Sequence, residues 1–376
     1  MSDLRTLQHV NAAPAQTWNW LKINETAVGV PVPADVAAQV DADGWQPLVN
    51  TDVPEQAQGV LMGAGTQATG WIDACATQRA TVTVPAASYV EEPVLVFLDA
   101  AQGTVAQTTV VLEEDASAQV LVCALGRETD AGTTGSALRL VLADGAEAEV
   151  DLLVAQGPGQ RHVDDLGAAL GEDARLTLRQ YVLGSEQAAV GVAVELLGRN
   201  AALDANLRYV TRAAEATDVS YQSIHEGRKT RTDIVAAGVI TGDGSKVLRA
   251  TIDLAHGCKG AEGSEAETVV LAGDQVVNKT LPVILCSEDD VAGNHGATIG
   301  SLSEEQLFYL ACRGLTEEDA TGLMTTAIVD DAAASLPAEA AAAVVEWARW
   351  SLGPDAAESA ATAAELAGHD LEEVPA

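Results

Sequence analysis

Aromatic side chains are scarce, at 3% of the 376 residues, although apolar residues reach 48%. A core made almost entirely of Val, Leu, Ile and Ala suits stacked, narrow layers better than a pocket lined with large rings. Lysine is nearly absent, with five residues against fifteen arginines, and the net charge is −35. Such a surface repels phosphate backbones and anionic headgroups, which argues against nucleic acid and membrane as partners. An acidic, alanine-rich composition that keeps the chain soluble accounts for the charge; a surface for a cationic partner is the other reading. No run approaches ~18 uninterrupted apolar residues, so none is long enough to span a bilayer. The opening MSDLRTLQHVNAAPAQ has no apolar signal core, and no export signal is expected. The five cysteines, Cys75, Cys123, Cys258, Cys286 and Cys312, are odd in number and contain no Cys-x-x-Cys pair. That argues against a disulfide framework and against a zinc or cluster site made from this chain's thiols alone. The expected home is the reducing cytoplasm.

What is present is organised in three parts: residues 1–79, an irregular N-terminal lobe with short helices; 80–300, a β-rich core; and 301–376, a helical region. In the first part Thr17-Trp18-Asn19-Trp20 places two tryptophans two apart, as a short helical or extended anchor. From Ala80 the texture changes to short β-branched runs bounded by Gly, Pro and Asp, such as Thr81-Val82-Thr83-Val84-Pro85 and Thr108-Thr109-Val110-Val111-Leu112. These are strand signals.

A turn then recurs: Leu112-Glu113-Glu114-Asp115-Ala116, Leu142-Ala143-Asp144-Gly145-Ala146, Leu170-Gly171-Glu172-Asp173-Ala174 and Leu197-Gly198-Arg199-Asn200-Ala201, with the alanines 27 to 30 residues apart. Weaker copies are expected at Ile240-Thr241-Gly242-Asp243-Gly244-Ser245 and Leu271-Ala272-Gly273-Asp274-Gln275. Strand–turn–strand repeats of this length without helical pattern predict a β-solenoid, in which coils that cannot bury their inward faces alone stack into one core. A β-sandwich with chance similarity among its turns is the alternative.

After Gly300 the apolar period lengthens to helical spacing. Ser303 and Gln306 fit a capping box, with Leu302 and Leu307 as a hydrophobic staple, and Gly314 is the expected stop. Thr316-Glu317-Glu318-Asp319 begins a second helix with acids at its positive end, and Ala320, Leu323, Met324, Ala327 and Ile328 are expected on one face. A third helix is expected over about residues 337–352, closed by Gly353-Pro354, and the Ala/Glu-rich remainder reads as a helix with a frayed tail.

Several of these segments carry a family likeness. His295-Gly296-Ala297-Thr298, Leu307-Phe308-Tyr309-Leu310, Arg313-Gly314-Leu315 and Glu317-Glu318-Asp319-Ala320 resemble, in order and spacing, the C-terminal signature of the SufB/SufD family of iron–sulfur cluster assembly scaffolds. Upstream, Asn278-Lys279-Thr280 before Asp289-Asp290-Val291, residues 228–233, and Thr83-Val84-Pro85 followed by Glu91-Glu92-Pro93-Val94 match as well, as does the Trp18/Trp20 anchor. The likeness spans roughly residues 80–329 and is closer to SufD than to SufB. It implies a mainly β chain, a right-handed parallel β-helix between helical ends. It also implies a cytoplasmic, non-catalytic scaffold that pairs through its β-helix with a SufB-like paralogue or a second copy of itself. The C-terminal helices would dock a SufC-like ABC ATPase, which makes Leu323, Met324 and Ile328 the candidate partner-binding residues. A transient Fe–S cluster would form at the subunit interface, with none bound by this chain alone.

His295 matches the family histidine associated with that interface, and neutral imidazole is a reasonable iron ligand. A turn histidine bonded to a neighbouring coil is the plainer reading. Where relatives often carry Cys-Ser-His-Gly this chain has Gly293-Asn294-His295-Gly296, so the adjacent thiol is gone. Cys258 and Cys286 are weaker candidates as ligand or sulfur-accepting thiols, since buried cysteine is commonly inert. The cationic stretch His225-Glu226-Gly227-Arg228-Lys229 reads as a solvated turn. No GxxxxGK[ST] loop occurs, so nucleotide hydrolysis is expected of a partner. The rival class is a solenoid polysaccharide lyase or hydrolase. It needs clustered carboxylates and aromatic platforms; Asp164-Asp165 and Asp289-Asp290 are paired acids, expected alone in turns.

Overall fold

The strand signals assemble into a stack of coils. The structure, a computed structural model, describes residues 4–15, 21–32, 53–301 and 303–371. The Trp18/Trp20 anchor and Leu302 of the expected staple lie outside the described residues. The N-terminal part holds β1 (Leu4–Val10) paired antiparallel with β2 (Thr26–Pro31), a 3₁₀ turn at Glu55–Ala57 and α1 (Thr66–Cys75). The solenoid follows with β3 (Gln78–Val84), β4 (Val94–Asp99), β5 (Val105–Leu112), β6 (Ser117–Leu125), β7 (Gly132–Leu142), β8 (Glu147–Ala155), β9 (Gln160–Leu170) and β10 (Arg175–Gly184). It continues through β11 (Gln187–Leu196), β12 (Ala202–Thr211), β13 (Ala216–His225), β14 (Arg231–Thr241), β15 (Ser245–Leu254), β16 (Glu262–Ala272), β17 (Val277–Cys286) and β18 (Ala292–Gly300). Odd strands β3 to β17 form one eight-stranded parallel sheet and even strands β4 to β18 the other. The chain is a β-solenoid, and the sandwich alternative is gone.

Strand periodicity decides what fills the interior. In β9 and β11, for example, Leu166, Ala168 and Leu170 and Val190, Val192 and Val194 face inward and are buried. Each such Val or Leu contributes roughly 1.5–3 kcal/mol by leaving water. The core is stacked apolar layers with few rings, as the composition requires.

The recurring Asp/Gly/Asn-Ala turns form one edge of the stack. Asp115, Gly145, Asp173 and Asn200 all take positive φ, between 56° and 71°. Glycine adopts that conformation freely, and Asp and Asn tolerate it better than most residues. The N–H of each bonds the next coil: Asp115 to Asp144 O, Gly145 to Glu172 O, Asp173 to Arg199 O and Asn200 to Arg228 O. The following alanines, Ala116, Ala146, Ala174 and Ala201, are buried where only a small side chain fits between corners. The next members of this ladder are Lys229-Thr230 and Gly260-Ala261, with φ of 58° and 75° at their first residues. The expected weak copies at 240–245 and 271–275 belong instead to the opposite edge, where even strands lead into odd ones. They share turn chemistry with the first edge, and turn chemistry alone does not say which edge a turn serves.

Both outer faces of the middle coils are covered. Leu7, Val10, Val28, Val30, Trp71 and Ile72 pack on Val105, Ala137, Val163 and Ala189 of the odd sheet. The contact is close enough that a Cβ on Gly63 would lie 2.2 Å from Val192 N, and one on Gly191 2.3 Å from Ala64 N. Asp165, in β9, anchors this lobe by accepting from Ala64 N at 2.7 Å and Thr69 Oγ1 at 2.6 Å. The Asp164-Asp165 pair is therefore buried in a strand and not placed in a turn; polar inward and lobe-facing groups had masked the strand. On the even sheet, α3 (Glu317–Ser335), α4 (Ala338–Ser351) and α5 (Pro354–Leu366) cover Leu121, Cys123, Leu153, Tyr181 and Leu183. Trp347 is fixed there by a 2.9 Å bond from Nε1 to Gln156 O.

The preceding α2 (Glu304–Ala311) carries the Ser303/Gln306 capping box and buries no residue. The α3 capping box pairs Thr316 with Asp319. Its buried face is Ala320, Thr325, Val329, Ala332 and Ala333; of the expected line, Ala320 is buried and Met324 and Ile328 are half-buried, while Leu323 and Ala327 are exposed. Close packing against α5 and α4 selects small side chains, and hydropathy undervalues alanine as a contact residue.

Candidate functional site

Toward the C-terminal end of the stack the inward positions turn polar. Glu265 of β16 stands in register with Ile234, Ala205 and Leu178 of the coils below, and Thr280 of β17 with Leu248, Val219 and Val190, while Lys246 of β15 and Glu267 of β16 are inward beside them. Lys246 Nζ donates to Glu267 Oε1 at 2.5 Å and to Thr280 Oγ1 at 3.1 Å. Tyr209 OH donates to the same Glu267 oxygen at 2.8 Å, and Thr280 Oγ1 donates to Oε2 at 2.5 Å. The ammonium also sits 5.6 Å from the Tyr209 ring centroid, a favourable cation–π placement. Burial holds the Lys246 amine below its ordinary value, with Glu267 acting against that. Breaking this pair from one side would strand a buried charge.

Glu265 differs from its neighbour. It is 3% exposed, and its Oε1 is buried without a hydrogen-bond partner. Burial, and then the Glu267 charge, push its carboxyl up to about 7, with Lys246 opposing.

The last coil lies directly above. Strand β18 runs parallel to β16 in the register Gly263↔Gly293, Glu265↔His295, Glu267↔Ala297 and Val269↔Ile299. Paired positions of a parallel ladder share a face, so Gly293, His295, Ala297 and Ile299 line the inside of this coil. A Cβ on Gly293 would lie 3.2 Å from Ile284 Cγ2 and 3.5 Å from Leu254 Cδ1, on the inner side. His295 thus sits in the middle of a strand and not in the turn expected for it. A Gly- and Ala-rich strand carries almost no β signal, which is why it read as a turn. No coil follows, and all nine residues of β18 are exposed.

The thiol candidates meet at the corner before β18. Cys286 ends β17, is exposed, and its Sγ lies 3.2 Å from Glu288 O. Cys258 lies buried in the preceding turn of the same edge, its thiol pushed up by burial and then by Glu288. Glu288 joins the two turns: Gly257 N and Asp289 N donate to it at 3.0 and 3.1 Å and hold its carboxylate below the usual range. Among the described residues no three His, Cys, Asp or Glu side chains form a metal-holding group. Deeper in the edge, His225 is buried against Ser223 and Thr230, and burial holds it down at about 4, so it is a neutral structural residue and not part of a solvated cationic cluster.

On α3, Leu323 is 56% exposed while Met324 and Ile328 are half-buried, the latter packed against the helical cluster. Leu323 borders an open cleft of about 1000 Å³ between the solenoid edge at Thr241 and Gly273 and the acids Glu317, Glu318, Asp319 and Asp355.

Sequence comparison places this chain in a family. A family model described as "SUF system FeS cluster assembly, SufBD core domain" matches residues 96–328, well over half of the chain. The chain belongs to the SufBD family. It is 25% identical over 249 residues to an iron–sulfur cluster assembly SufBD family protein of Synechocystis, covering 64% of this chain and 52% of that one. It is 25% identical over 178 residues to the Bacillus subtilis iron–sulfur cluster assembly protein SufD, covering 47% of this chain and 41% of that one. A SufBD family protein of Mycobacterium bovis is 33% identical over 122 residues, 32% of this chain and 14% of its own. The chain therefore spans about half the length, or less, of these relatives. No helix among the described residues is long and apolar enough to cross a membrane.

The SufBD signature points to His295, and cysteine chemistry to the two corner thiols. The Lys246–Glu267–Glu265 group was not singled out from sequence. Its signal is the alternation Glu265-x-Glu267 inside a strand, which becomes informative only once the register says that these positions face inward.

Proposed function

We propose that this SufBD chain is the scaffold subunit of a SUF-type iron–sulfur cluster assembly complex, on the SufD side of the family. It pairs through β17 and β18 with a SufB-like paralogue or a second copy of itself and works in the cytoplasm with a SufC-like ABC ATPase. The observation that carries this reading is the uncovered last coil, which offers two unpaired strand edges and an exposed inward histidine. Unpaired N–H and C=O rows template pairing with another sheet. The nascent cluster is cargo in this reading. His295 supplies one ligand at the interface, with thiols or carboxylates from the partner completing the set, and ATP hydrolysis comes from the ATPase subunit. Cys286 is placed to join from the corner, whereas Cys258 is buried and its thiol disfavours the thiolate that a ligand needs. Leu323 is the residue of the α3 trio best placed to meet the ATPase, because Ile328 is occupied inside the chain.

The test is anaerobic reconstitution of wild-type and His295→Ala complexes, followed by iron, sulfide and visible absorbance. The variant should keep its fold, because an exposed side chain is lost, and should hold markedly less cluster. Equal cluster content with normal transfer to an acceptor would remove His295 from the site. Leu323→Asp should abolish retention of the ATPase in co-purification while the melting temperature is unchanged; full retention would remove that docking face.

A further inference from the structure

Glu265 has the only inward carboxylate of the last two coils left with an unpartnered oxygen among the described residues. A buried acceptor without a donor costs more than an ordinary hydrogen bond returns, so its neighbours matter. Along its own strand the inward neighbours are Gly263 and Glu267. Below it in the ladder is Ile234, which has nothing to donate. Across the interior, Lys246 gives two of its three N–H donors to Glu267 and Thr280 and makes no hydrogen bond to Glu265 Oε1, and Tyr209 donates to Glu267. Above it is His295, in register on the same face, whose imidazole makes no hydrogen bond among the described residues. Adjacent ladder positions lie ~4.8 Å apart, within reach of a single rotamer change of an exposed imidazole.

We propose that Glu265 is the positioning residue for His295: its Oε1 accepts one imidazole N–H and so turns the other nitrogen, as an electron-pair donor, toward the open end. A histidine that ligates metal is generally oriented in this way through its second nitrogen. The flanking Gly293 and Ala297 leave the ring room to rotate into that contact. The inference rests on His295 being a ligand for its purpose, but not for its test.

The test uses the full chain labelled with ¹⁵N-histidine, with the His295 signals assigned by their loss in His295→Ala. At about pH 8.5, above the ordinary imidazole value, the two ring shifts report the tautomer ratio. Wild type should favour one tautomer at least about fivefold more strongly than a short unstructured histidine peptide does, as a charged acceptor requires. Glu265→Met removes the acceptor with an apolar side chain of similar length and should return the ratio to the peptide value. Glu265→Gln keeps an uncharged acceptor and should fall between, which preserves the test if the Met variant does not fold. Equal ratios in wild type and both variants overturn the positioning role. Cluster formation that ignores His295 overturns the ligand reading instead, and leaves a tautomer effect standing.

Discussion

The middle and the end of the solenoid are built on the same backbone and differ in what surrounds it. Around β9 to β12 the interior is mostly Val, Leu and Ala, with His162, Asp164, Gln180 and Tyr209 buried among them, the odd sheet is covered by the N-terminal lobe and the even sheet by α3 to α5. At β15 to β18 the interior carries Glu265, Glu267, Lys246, Thr280 and His295, and the last strand, exposed along its whole length, is paired on one edge only. The middle is closed over on both faces, although His162 Nε2 and Gln180 Nε2 are also buried there without a hydrogen-bond partner. The end leaves an unpartnered carboxylate and two free strand edges, a pattern that suits completion by another chain and offers little to the monomer's stability.

Five substitutions sharpen or break this contrast. Val192→Asp places an unpaired charge in the apolar interior and should cost more than about 5 kcal/mol, abolishing the cooperative melt. Ile299→Asp, at an inward but 51% exposed position of the last coil, should cost less than about 1 kcal/mol in the isolated chain. Comparable losses at both sites, read by thermal denaturation, would erase the distinction between middle and end.

Trp347→Ala should cost about 4 kcal/mol. Besides its bond to Gln156, the ring lies 5.1 Å beneath the Arg212 guanidinium and meets Trp350 edge-on at 6.1 Å. The variant should expose Leu153, Cys123 and Leu183 of the even sheet, detectable as faster labelling of Cys123 by a thiol reagent. Unchanged labelling would mean that the helices do not depend on this anchor.

Next comes the covered odd sheet. Burial pushes Asp165 up to about 7 despite its bonds from Thr69 and Ala64. An acid whose folded value lies above its unfolded one loses protons on unfolding, so stability falls as pH rises from about 4 to about 7 and is level beyond. The full effect is roughly 3–4 kcal/mol. Asp165→Asn should flatten this slope in pH-dependent denaturant melts; the same slope in the variant would assign it elsewhere. A small effect, close to that at Ile299, belongs to the uncovered helical edge, where Thr316→Ala removes the α3 cap and should cost about 1 kcal/mol. A loss of several kcal/mol there would mean that the cap holds more than its own helix.

Much of this was legible in the residues. Turn chemistry announced the coils because one position per coil must tolerate positive φ and the next must be small. The capping box at Ser303 and the acids following Thr316 announced two helix starts. The last strand was not legible: Gly293, Gly296 and Gly300 deprive it of β propensity, and it is a strand because β16 supplies a ready ladder. The α3 face was misread because alanine contacts are set by helix proximity, which only the packed bundle defines.

The sequence by itself determined the solenoid and its repeat, since these follow from local conformational preference and period, and its motifs carried the SufBD resemblance. Tertiary structure alone decided which side of each strand faces inward, and hence that Glu265 lies beneath His295, 30 positions later in the chain. A shift of one residue in the β16–β18 register would send one of the two outward and separate them. Nothing local to either residue fixes that register; it is set by the coils stacked beneath.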